Sequence, residues 1–98
     1  KYINAFRTHF NPIPDTAISF ALNISDQSQT LVLDMDNSKL NCYYGEKPDA
    51  TATLKANHIV IDRIISGEIT LQEAFMTGSV TAKGNFNILK SFDRIFNF

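Results

Sequence analysis

Between Thr16 and Ala56 the sequence alternates apolar and polar side chains at a period of two, and beyond Asn57 the period lengthens to that of a helix. A strand sends successive side chains to opposite faces, so this alternation calls for a sheet with one buried face. Ile18, Phe20, Leu22 and Ile24 form the first apolar set. Leu31, Leu33 and Met35 form the second, between turn chemistry at Asp26-Gln27-Ser28 and at Asp36-Asn37-Ser38. A third strand is expected from Lys39 to Tyr44, and a fourth from Ala50 to Ala56 after the break at Glu46-Lys47-Pro48-Asp49. Four strands joined by short turns read as an antiparallel meander.

The helical half opens at Asn57, a plausible N-cap for a stripe of Ile61, Ile64 and Ile65 that stops at Gly67. Thr70-Leu71-Gln72-Glu73 is a capping box, in which hydroxyl and carboxylate satisfy each other's exposed backbone donors. It starts a short helix through Phe75 and Met76, ended by Gly78. A fifth strand follows over Ser79–Lys83, then a last helix with Phe86, Leu89, Phe92, Ile95 and Phe96 along one side. Before the first strand, Lys1 to Phe10 forms a short helix with Ile3, Phe6 and Phe10 on one side, stopped by Pro12 and Pro14. Strands first and helices later give an α+β arrangement: a five-stranded, mainly antiparallel sheet with helices packed on one face. Its other face is left to water or to a partner.

Ninety-eight residues suffice for one domain with one modest core. Nine basic side chains oppose ten acidic ones without a run of either sign, so the basic stripe that binds nucleic acid is missing. The single cysteine, Cys42, allows no internal disulfide and fits the reducing cytoplasm. No apolar stretch approaches the ~20 residues of a membrane-spanning helix. The chain opens on Lys1 rather than Met, which reads as a domain of a longer protein, with 1–15 a helix remnant or linker and 16–98 the folded domain.

Catalysis needs converging groups, and the sequence offers none, so no enzyme is expected. His9 and His58 stand apart from any recognisable Ser or Cys partner. Asp34-Met35-Asp36-Asn37-Ser38 begins like a calcium loop, but Lys39 occupies the turn-glycine position and Gly45 the bidentate-Glu position. Cys42 alternates with Leu40 and Tyr44 as a small hydrophobe. The four glycines are too widely spaced to cradle a phosphate, and no cofactor or metal is expected.

The stretch from Gly67 to Gly78, containing Gln72-Glu73-Ala74-Phe75, followed by a short strand and Gly84-Asn85, resembles the signature of the sterol carrier protein type 2 family. Pro48-Asp49-Ala50 and the alternating strand after it are similar to that family too. The likeness covers about Thr16 to Phe96. It implies an apolar tunnel between sheet and helices that holds a sterol, fatty acid, fatty acyl-CoA or other lipid, alone or as a module of an enzyme. On the resemblance, Phe20, Leu22, Leu31, Leu33 and Met35 form the floor. Ile61, Ile64, Phe75, Met76, Phe86, Leu89 and Phe92 form roof and end wall.

The same inward set also describes an ordinary packed core, since interiors are normally filled. Phe86, Phe92, Phe96 and Phe98 are large enough to plug such a tunnel. Two functions therefore stand: a non-catalytic binder of an apolar ligand, or an interaction domain with its tunnel filled by its own rings. For the second, the partner is a parent enzyme domain or another copy of the chain.

Overall fold

A computed structural model describes residues 2–13, 17–84 and 87–98. The elements run α1 (Tyr2–Thr8), β1 (Ala17–Ile24), β2 (Gln29–Asp36), β3 (Lys39–Tyr44), β4 (Ala52–Ala56), α2 (His58–Ile65), α3 (Leu71–Met76), β5 (Thr81–Gly84) and α4 (Ile88–Ile95). The expected periods thus become the expected elements. Asn37 and Ser38 join β2 to β3 with φ of 50° and 70°, the two-residue turn whose twist matches the strands it connects.

The meander expectation fails at β4. The sheet order is β3-β2-β1-β4-β5, so only β1, β2 and β3 form a meander. The fourth strand instead lies parallel to β1, with Phe20 beside Ala52 and Leu22 beside Leu54. β5 then closes the far edge antiparallel to β4. A parallel neighbour cannot be reached by a tight hairpin, and residues 45–51 provide the crossover. They run on the outer side of the sheet. Lys47 reaches outward-facing Asp34 at 3.9 Å, and Thr51 and Ser19 exchange side-chain–backbone hydrogen bonds at 3.0 and 3.1 Å. Ser19, Ala21 and Val32, all on the outer face, are buried. The outer face is therefore closed at its centre and open at the β4–β5 end, where Thr53, Lys55, Thr81 and Lys83 are exposed.

On the inner face, sheet and helices share one core that runs from Phe20, Leu22, Leu31 and Leu33 to Ile61, Ile64, Leu89 and Phe92. α1 packs against β3 and adds Tyr2 and Phe6. The segment after α1 is stitched to the end of α4 through the Asn11 N–H to Ile95 O, 2.6 Å, and the Asn97 N–H to His9 O, 3.1 Å.

Candidate functional site: an aromatic interior between the layers

β1 carries Phe20 on the inner face at the middle of the sheet, and α4 lays Phe92 over it. The two rings meet edge to face at 5.1 Å. Phe6 of α1 meets Phe92, Phe96 and Phe98 in the same manner at 6.2, 5.1 and 5.4 Å. This alternation of ring edges and faces is the arrangement aromatic quadrupoles prefer, and it leaves the interlayer space filled by side chains. A cavity of about 90 Å³ remains at the edge of the cluster, bounded by Ile64, Ile69, Asp93, Phe96 and Phe98. That falls below the ~300–1,000 Å³ usual for ligand pockets.

Of the residues expected to line a tunnel, Phe20, Leu22, Leu31, Leu33, Met35, Ile61, Ile64, Leu89 and Phe92 are buried together in this interior. Phe75 is half-buried at its margin. Met76 is corrected: it stands 76% exposed at the end of α3 and does not face the interior. Phe86 lies outside the described residues. Tyr2, Phe6 and Leu54, absent from the expected lining, are buried in the same interior. Tyr2 and Phe6 are one helical turn apart, and that i,i+4 spacing was the available signal.

Two helix ends set the geometry of the roof. Asn57 caps α2 by accepting from the Val60 N–H at 2.9 Å. The capping box of α3 forms as expected, with the Glu73 N–H to Thr70 Oγ1 at 3.1 Å and the Thr70 N–H to Glu73 Oε1 at 3.2 Å. Asp93 of α4 takes the remaining donors, the N–H groups of Leu71 and Gln72, at 2.9 and 3.1 Å. The carboxylate at a helix N-terminus thus fastens α4 to α3.

The polar groups serve structure. His58 bonds through Nδ1 to Asp26, whose other oxygen accepts the His58 N–H at 2.9 Å. These bonds hold the Asp26 carboxyl below its ordinary pKa. Burial pushes the Cys42 thiol up to about 11, so it stays protonated at neutral pH. Burial, with a hydrogen bond to Asp62, raises the Tyr2 hydroxyl to about 12. Among the described residues no group of three His, Cys, Asp or Glu side chains could hold a metal. Among the described residues no helix is long and apolar enough to cross a membrane.

With this architecture in place, the sequence matches the SCP-2 sterol transfer family over residues 15–97. The chain belongs to that family. No curated protein matches it by sequence. Among solved structures, this SCP-2 domain is similar to the stereoselective inverting sec-alkylsulfatase Pisa1 of Pseudomonas sp., at TM-score 0.85 and 19% identity. That match covers 99% of this chain and 16% of the sulfatase. Sterol carrier protein 2 of Yarrowia lipolytica, in its apo form, superposes at TM-score 0.63 and 20% identity, covering 98% of this chain and 77% of that one. The palmitated sterol carrier protein 2-like 2 of Aedes aegypti gives 0.61 and 11%, covering 84% and 72%. At these identities the likeness is one of fold.

Proposed function

We propose that this SCP-2 domain is a non-catalytic module that takes up the alkyl chain of a fatty acid, fatty acyl-CoA or sterol-like lipid between its sheet and its helices. The observation that carries this reading is the continuous apolar interior between the layers, in a chain of a sterol transfer family. The Aedes neighbour is described as palmitated, which supports an acyl chain in this fold. The short span of the sulfatase match supports a module within a larger protein. The Cys42 thiol is buried and protonated, and His58 is tied to Asp26 with no Ser or Cys partner beside it among the described residues, which supports a binding rather than a catalytic role.

Binding requires the rings to part. A dozen buried methylenes gain on the order of 10 kcal/mol at about 0.8 kcal/mol each. Separating one edge-to-face pair costs roughly 0.5–1.5 kcal/mol beyond its buried area. A long chain therefore outweighs the opening of a few ring pairs by a wide margin, whereas a chain of about five carbons gains only about 4 kcal/mol and leaves little or no surplus. Native mass spectrometry with added palmitate and hexanoate tests this. The expected result is a palmitate adduct, a raised melting temperature and no hexanoate adduct.

One observation favours a second reading: the rings already fill the space. On that reading the domain is an interaction module of a larger protein, stabilised by its own aromatic plug. A bare mass in palmitate, with a dimer or a fixed contact to a neighbouring domain in sedimentation velocity, would decide for it.

A further inference from the structure

The open end of the outer sheet face carries a group of side chains that the apolar interior does not use. Across the β4–β5 ladder Lys55 stands opposite Thr81, and Thr53 stands opposite Lys83. All four point outward, so lysines and threonines alternate around a square, and Asn23 of β1 flanks Lys55. They surround a hollow of about 230 Å³ lined by Asn23, Thr53, Lys55, Thr81 and Lys83. Every one of these side chains donates hydrogen bonds: two ammoniums, two hydroxyls and an amide. Diagonal Cβ atoms across a ladder are about 7–8 Å apart, within reach of two flexible stems converging on one small group.

Among the described residues nothing compensates this charge. Among the described residues, the basic members of ion pairs are Lys47, Arg63 and His58, and neither Lys55 nor Lys83 has a carboxylate partner. The outer-face acids sit elsewhere, with Asp34 engaged by Lys47 and Asp36 beside Ala17 at the opposite end of the strands. Two like charges held on a diagonal repel, and an anion between them relieves the repulsion while accepting from the hydroxyls.

We propose that this square binds a tetrahedral oxyanion, a phosphate or sulfate group, between the Lys55 and Lys83 ammoniums. Its source is either the free anion or the headgroup of a lipid. The site lies on the side of the sheet away from the interior, so it stands or falls independently of lipid uptake there.

The test uses ¹H–¹⁵N spectra titrated with inorganic phosphate at fixed ionic strength, alongside cosedimentation with phosphatidylglycerol and phosphatidylcholine vesicles. Saturable shifts confined to Thr53, Lys55, Thr81, Lys83 and Asn23 support the free anion, with a dissociation constant on the order of millimolar at so exposed a site. Lys55→Gln and Lys83→Gln should each weaken it roughly tenfold, the size of one charge-assisted hydrogen bond, while Lys90→Gln leaves it unchanged. Binding to phosphatidylglycerol vesicles alone, with the same dependence on the two lysines, supports the headgroup. Shifts scattered over unrelated lysines, or no response in either arm, overturn the proposal. Localisation in the unaltered protein keeps the test valid whatever the variants' stability.

Discussion

At Gly84 the backbone takes a φ of 104°, and a Cβ placed there would stand 2.6 Å from Thr51 O. The position combines a left-handed conformation with close approach of the crossover, and only glycine meets both conditions. Gly84→Ala should therefore lower stability by about 1–3 kcal/mol, read as a fall in the urea midpoint with unchanged slope. Gly78→Ala is the comparison: it has a similar φ of 82° but open space around it, and should cost less. Individual residues were legible where their chemistry is local, as at Asn57, Thr70 and Glu73, whose caps form as read. Met76 was not. The resemblance places both Phe75 and Met76 inward, but on a six-residue helix Leu71 and Ala74 claim the buried side. The helical phase then leaves Phe75 at the margin and turns Met76 to solvent.

The elements hold one another through their ends. α3 is too short to stand alone, since an isolated helix of this length does not repay its nucleation. It persists because its N-terminal donors are met by Thr70 from its own cap and by Asp93 from α4. Thr70→Ala and Asp93→Ala should each cost about 1 kcal/mol in chemical denaturation. The double variant should cost more than the sum, as the second loss leaves the N–H groups of Leu71, Gln72 and Glu73 all without side-chain acceptors. Sequence pattern gave each strand its buried face but not its neighbour. A strand period specifies which side chains point inward and is silent on whether the next strand joins the last one or crosses to another edge. The sequence pattern starts the fourth strand at Ala50, and the structure begins it at Ala52, which leaves the seven-residue link 45–51 that the crossover needs, against the two-residue turn at Asn37-Ser38.

Across the whole molecule, two buried protons among the described residues weaken the fold at alkaline pH. The Tyr2 hydroxyl is raised from 10 to about 12 and the Cys42 thiol from 9 to about 11. Each folded form holds its proton where the unfolded chain has lost it, so the contribution of these two groups is constant below pH 9 and declines as pH rises towards 12. Urea unfolding between pH 8 and 12 should show this decline, and Tyr2→Phe should flatten its part above pH 10. The filling of the interior was a matter of scale as well. The sequence gives the sizes of Phe6, Phe20, Phe92, Phe96 and Phe98, but their mutual edge-to-face fit depends on α1 returning to the end of α4. The crossover has a further consequence, for the chain as it is made. β1 gains its first neighbour when β2 ends at Asp36, but its second only when β4 is complete at Ala56. At 5–20 residues per second, about 20 residues of synthesis leave the most apolar strand with a bare edge for about 1–4 s. Such an edge is a template for a second nascent chain, so this fold is exposed to mispairing during translation until β4 covers it.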